Sequence, residues 1–170
     1  LHTLQCELGE GPFWTAVADY LRLYAGGVVE TDDFRRVMEE HSGRSLAKFF
    51  DQWFHTAAYP VVKVSFKYDG KRKEGTFEVE QTHVDEKAGS PAFELATDLG
   101  WVIDGQPGSM PIRLQKARHD FVVPMAKEPD QVRFDPFARA LHRLEFNSGT
   151  KMLRRQLTDA PDVIGRILAG

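Results

Sequence analysis

The chain has 170 residues and a single cysteine, Cys6. One thiol excludes an internal disulfide framework. The neighbouring sequence offers Cys6 neither a base nor an electropositive setting, so it is expected to be a packed or idle thiol rather than a nucleophile. Excess positive charge is also missing: 22 Lys and Arg stand against 25 Asp and Glu, for a formal charge of −3. That excludes a strongly basic nucleic-acid binder as the default class. No apolar run approaches the roughly 20 residues that cross a bilayer. Low-complexity stretches and internal repeats are absent. With 42% hydrophobic and 28% charged residues, the composition is that of an ordinary globular chain.

Histidine and glycine patterns exclude further chemistry. His2, His41, His55, His83, His119 and His142 include no pair four residues apart, so no helix offers zinc a His-x-x-x-His pair. Gly105-x-x-Gly108, with Pro107 and Pro111, lacks the lysine of a phosphate loop and reads as a plain loop. No Gly-x-Ser-x-Gly elbow occurs. Asp32-Asp33 and Glu39-Glu40 are adjacent acids on one helix, where neighbours do not face each other, so they read as caps and solvated face. Lys63, Lys67, Lys71, Arg72 and Lys73 cluster around a hairpin signal. They read as solvated, edge-protecting lysines rather than a phosphate site.

What is present is a change of period. Up to residue 58 or so the pattern is helical. Pro12 suits a first turn, and Phe13, Trp14, Val17, Leu21 and Tyr24 recur at helical spacing before Gly26-Gly27 ends the run. Thr31 is expected to cap a second helix, with Asp32 and Asp33 in its first turn and Gly43 closing it. Ser45 is expected to cap a third, whose Leu46, Phe49, Phe50, Trp53 and Phe54 form a wide apolar stripe in need of a partner surface.

After Tyr59-Pro60 the period becomes two. Val62, Val64, Phe66 and Tyr68 alternate with Lys63, Ser65 and Lys67, and Asp69-Gly70 signals a turn. Phe77 and Val79 continue the alternation. Further strands are expected at 92–95, 101–103, 112–115, 119–123, 132–134 and 141–146. Short strands at this spacing predict an antiparallel, immunoglobulin-like β-sandwich. A helical tail is expected beyond Thr150, using Met152, Leu153 and Leu157, then Val163, Ile164, Ile167 and Leu168 after a cap at Asp159. The fold class is therefore α+β: an antiparallel β-sandwich flanked by an N-terminal helical segment and a short C-terminal one.

The first third of the chain resembles a known family. Leu1-His2-Thr3-Leu4, Leu8-Gly9-Glu10, Phe13 and Tyr20-Leu21 look like late helices of the catalytic domain in zinc aminopeptidases of the gluzincin type, the alanyl aminopeptidase relatives. The likeness continues through Val29-Glu30-Thr31-Asp32-Asp33-Phe34, Ser42-Gly43, Phe49-Phe50-Asp51-Gln52-Trp53 and Tyr59-Pro60. Downstream it rests on Gln81, Asp135-Pro136, Gln156-Leu157, Asp162-Val163 and Gly165-Arg166-Ile167.

The resemblance implies three parts. Residues 1–59 would end a catalytic domain, 60–147 would form the sandwich, and 148–170 would begin a helical C-terminal domain. It implies a parent that uses zinc to remove N-terminal residues from peptides. The family's His-Glu-x-x-His motif, its distant Glu and its Gly-x-Met-Glu-Asn segment do not occur here. Gly108-Ser109-Met110 imitates the last of these by coincidence, since Pro111-Ile112 follows. The resemblance places the family's transition-state tyrosine upstream of Leu1, and Tyr20, Tyr24, Tyr59 and Tyr68 do not stand at its position. No catalytic, substrate-binding or metal residue is therefore assigned, and these residues alone are expected to be inactive and without a cofactor. The chain opens without methionine and closes within a helix-like run, Val163 to Gly170, so it is expected to be a piece of a longer protein. Its expected partners are the remaining catalytic and C-terminal domains of the same chain, with peptide substrates for the whole. No nucleic acid and no membrane segment is expected. Two other readings stay open: a β-sandwich interaction module, and a family relative that has lost catalysis.

Overall fold

A computed structural model of the protein describes residues 1–146 together with Met152, Arg154 and Thr158. It divides into two compact units, Leu1–Ala57 and Ala58–Gly170.

The first unit is helical: α1 (His2–Leu8), α2 (Glu10–Leu23), α3 (Thr31–Ser42) and α4 (Ala47–Phe50), which runs on as a π-helical turn over Asp51–His55. Leu4, Phe13, Ala16, Val37, Met38, Leu46 and Phe50 form its core. The buried face of α2 is turned from the expected one. Phe13 and Ala16 are buried and Tyr20 packs edge-on to Phe34, with centroids 5.0 Å apart. Trp14 and Leu21 are instead 57% and 63% exposed. Each stands one position from the Phe13–Tyr20 pair, about 100° around the helix, which carries it off the face that meets α3.

Thr31 is not the cap of α3. Glu30 is, in a reciprocal box with Asp33: the Glu30 carboxylate accepts from the Asp33 N–H, and Asp33 Oδ2 accepts from the Glu30 N–H at 2.9 Å. Two carboxylates at the positive helix end satisfy two orphan donors, which a lone threonine hydroxyl would not. Gly43 ends α3 at φ 65°, a left-handed conformation that glycine adopts without strain. Ser45 stands one place before the N-cap position of α4, and its Oγ accepts a long bond from the Ala47 N–H at 3.5 Å. Glu39 reaches over and its Oε1 accepts from the Leu46 N–H at 2.6 Å.

Among the described residues the second unit holds seven strands: β1 (Val61–Asp69), β2 (Glu74–Gln81), β3 (Leu95–Ile103), β4 (Gln106–Leu114), β5 (Arg118–Pro124), β6 (Gln131–Phe134) and β7 (Arg143–Phe146). They form a four-stranded sheet in the order β5-β2-β1-β7 and a three-stranded sheet in the order β4-β3-β6. This is the expected α+β class with a β-sandwich. The register keeps the alternation intact. Val62 pairs with Gln81, Val64 with Val79 and Phe66 with Phe77, and Phe77 pairs in turn with Phe121. Leu95, Leu99, Ile112, Leu114, Val132 and Phe134 supply the buried face of the other sheet.

Three expectations about the sandwich are corrected. The segments 92–95 and 101–103 are not separate strands: β3 runs without a break from Leu95 to Ile103. The stretch around Gly105 and Gly108 is not a plain loop. Asp104-Gly105 is a tight hairpin turn, and Gly108 already lies in β4. Pro107 and Pro111 are accommodated because β4 is an edge strand. Four residues apart, they turn the same way, so their missing N–H groups cost no ladder bond on the side away from β3. The sandwich is also not wholly antiparallel, since β7 runs parallel to β1. The C-terminal helices expected beyond Thr150 lie outside the described residues, apart from Met152, Arg154 and Thr158, which are helical.

Candidate functional site

The polar groups singled out from the sequence are occupied in holding the fold. Asp32 pairs with Arg35 at 3.1 Å, Asp33 with Arg36 at 2.9 Å, and Glu39 with Arg35 at 3.1 Å. Glu40 is exposed on the same helix. Asp19 bridges Arg22 at 2.9 Å and His41 at 2.8 Å. The bond from Arg22 is the main reason its carboxyl is held below the usual range.

Cys6 is exposed. It is not without a base nearby, as the sequence suggested, because His2 lies one helical turn away with Nε2 3.7 Å from Sγ. At the basic hairpin, Lys67 is paired to Glu78 at 3.0 Å, and the Lys71 and Arg72 N–H groups bond Asp69 at 2.8 and 3.2 Å. Those backbone donors hold the Asp69 carboxyl low. Lys71, Arg72 and Lys73 are exposed at the turn and Lys63 at the far end of β1, but β1 and β2 are the inner strands of their sheet, so the lysines are a solvated cluster and guard no sheet edge.

Of the buried polar residues, Gln81, Asp135 and Asp98 have partners that shape the loops. Gln81 is 2% exposed. Its Nε2 donates to the Phe93 carbonyl at 2.9 Å and the Lys116 carbonyl at 3.1 Å, while its Oε1 accepts from the Phe93 N–H at 2.9 Å. Asp135 is equally buried and carries φ 48°. Its carboxylate accepts from the Arg139 and Ala140 N–H groups at 2.8 and 3.1 Å, which shapes the loop after β6. Asp98 pairs across that loop with Arg139 at 3.2 Å.

The same loop walls a groove of about 600 Å³. Its floor is the outer face of the three-stranded sheet: Gly100, Val102, Gln131 and Arg133, with Pro136 and Phe137 rising beside it. The main chain is close to Pro136 at Gly100, where a Cβ would stand 3.0 Å from Pro136 Cγ. At Gly108 a Cβ would run into the Trp101 ring, so only glycine lets that ring lie flat there. Arg133 donates to the Pro136 carbonyl at 3.1 Å. The lining is mainly apolar with the polar side chains of Ser109, Gln131 and Arg133, a character and size typical of pockets that bind small molecules. Nothing in the sequence reading anticipated it, because its walls come from a loop and strand faces brought together only by folding.

The described residues do not fit a zinc site. No three His, Cys, Asp or Glu among them come together as metal ligands. No helix among them is long and apolar enough to cross a membrane.

No family model matches the chain. Curated relatives do. Aminopeptidase M1-D of Oryza sativa subsp. japonica is 34% identical over 67 residues, covering 39% of this chain and 8% of the relative. Aminopeptidase 2 of Candida albicans is 33% identical over 66 residues, covering 39% and 7%. Tricorn protease-interacting factor F2 of Thermoplasma volcanium is 30% identical over 95 residues, covering 56% and 12%. Among solved structures, Legionella pneumophila aminopeptidase A in complex with aspartic acid superposes with a TM-score of 0.79 at 17% identity, over 99% of this chain and 19% of that one. The chain thus spans about a tenth of the length of its curated relatives and a fifth of that structure.

Proposed function

Taking the chain as an M1 aminopeptidase-type segment, we propose that its parent is a zinc-dependent enzyme that removes N-terminal amino acids from peptides. Residues 1–59 then end the catalytic domain, 60–147 are the bridging sandwich, and 148–170 begin the C-terminal helical domain. The segment itself is a spacer and buttress, inactive alone. The observation that carries this is the likeness to several aminopeptidases at 33–34% identity, each matched over only 7–8% of its length. In this reading the zinc ligands lie elsewhere in the parent. There the metal would supply an activated water.

The test compares the parent with this 170-residue chain. The parent should hydrolyse aminoacyl-coumarin amides, lose turnover to a chelator and regain it with zinc. This chain alone should show none. Turnover by this chain with one tightly bound zinc would overturn the proposal. An inactive parent would favour the second reading, a scaffold or interaction module, for which the groove under Phe137 is the supporting observation.

A further inference from the structure

Residues 115–117 carry the chain from β4 in the three-stranded sheet to β5 at the edge of the four-stranded sheet. A turn between sheets must satisfy its backbone groups without a ladder. Here two side chains do it. On the carbonyl side, Gln81 Nε2 donates to Lys116 O at 3.1 Å, and the Gln81 N–H donates to Ala117 O at 2.7 Å. On the amide side, His119 Nε2 accepts from both the Gln115 and Lys116 N–H groups, at 3.0 and 3.1 Å. His119 is opposite the buried Val79 and stacks on Phe121 with planes 10° apart, which fixes the ring in that position.

An imidazole nitrogen accepts a hydrogen bond only while it carries no proton. Protonated, Nε2 becomes a third donor aimed at two donors. We propose that His119 is a pH latch on the crossover between the two sheets: neutral, it fastens residues 115–117; protonated, it releases them and the adjoining start of edge strand β5.

The surrounding charges favour the fastened form near neutrality. Burial first, then the Lys116 ammonium, hold the imidazole below its ordinary value, and Asp120 opposes them more weakly. On β2, Glu78 and Glu80 flank Val79, so their side chains alternate to the face away from the ring. Arg118 and Asp120 alternate in the same way on β5, and Arg113 on β4 is exposed. The folded value lies below the unfolded one of about 6.5, so the native state binds fewer protons. The latch therefore holds fully above that pH and is lost as pH falls through the lower folded value.

Amide hydrogen exchange followed by NMR, normalised to intrinsic rates, tests this in the full chain. Protection at Gln115 and Lys116 should fall at least about tenfold as the His119 ring titrates, while Val64 and Val79 in the β1–β2 ladder keep theirs. His119→Gln places an acceptor that does not titrate at a similar reach, and should flatten the pH dependence. Unchanged protection at both amides across the ring's titration would overturn the proposal. So would His119→Gln with the same pH-dependent loss. The wild-type titration decides the matter even if the variant folds poorly.

Discussion

Replacing Gln81 breaks three hydrogen bonds to backbone groups at once, two at buried Phe93 and one at the more exposed Lys116. The Phe93 N–H, the Phe93 carbonyl and the Lys116 carbonyl each lose their bond to its amide, in a position 2% exposed. Each buried group left unpaired costs about 1–3 kcal/mol. Gln81→Leu is therefore expected to lower stability by about 3 kcal/mol or more, read as a shift in the urea midpoint with little change in slope. Leucine matches the volume, so a loss under about 1 kcal/mol would show that water replaces the amide. The sequence carried a hint of this residue. Gln81 continues the alternation of Phe77 and Val79, which places a polar side chain where an apolar one belongs. Its partners were hidden, because Phe93 and Lys116 come from distant turns. His119 was hidden for the same reason: its role depends on two amides that its own turn delivers.

At the scale of elements, the stripe Leu46, Phe49, Phe50, Trp53 and Phe54 shows how far periodicity reaches. Leu46 and Phe50 are buried, as a helical stripe requires. The backbone then widens into the π-helical turn, and Phe54 is left 50% exposed, stacked on Phe50 at 4.9 Å. Wider turns change which residues share a face, and a 3.6-residue count cannot foresee that. Trp53 is likewise only partly buried, short of the full burial its place in the stripe implied. Phe50→Ala should cost about 3–5 kcal/mol and Phe54→Ala under about 1.5, compared by denaturation followed at the helical circular-dichroism band. Equal costs would contradict the packing. The strands were legible for the opposite reason: a period of two survives unless a bulge intervenes, so β1 and β2 fall where Val62–Tyr68 and Phe77–Val79 place them. What misled in β4 was proline, which an edge strand tolerates and a central strand does not.

At the scale of the whole molecule, acid should act on several exposed carboxylates together. Asp19 is held low by Arg22, Asp69 by the Arg72 and Lys71 N–H groups, and Glu78 by Lys67 and Ser65. Each folded value lies below the unfolded one, so each contributes stability above the ordinary carboxylate range of about 4 and loses it as pH falls through the lowered value. The melting temperature should therefore drop below about pH 4, less steeply in high salt, where exposed pairs are already screened. A flat profile to pH 2.5 or so would contradict those pairings. The parallel pairing of β7 with β1 has a mechanical consequence. Arg143 opposite Val61 and Phe146 opposite Val64 make the two strands run in the same direction, with the Arg143 N–H also bonded to the Pro60 carbonyl at 2.9 Å. Tension applied at Pro60 and Phe146 would slide one strand along the other. The ladder's bonds would bear that load all together instead of opening one by one, which makes this short pairing a shear joint.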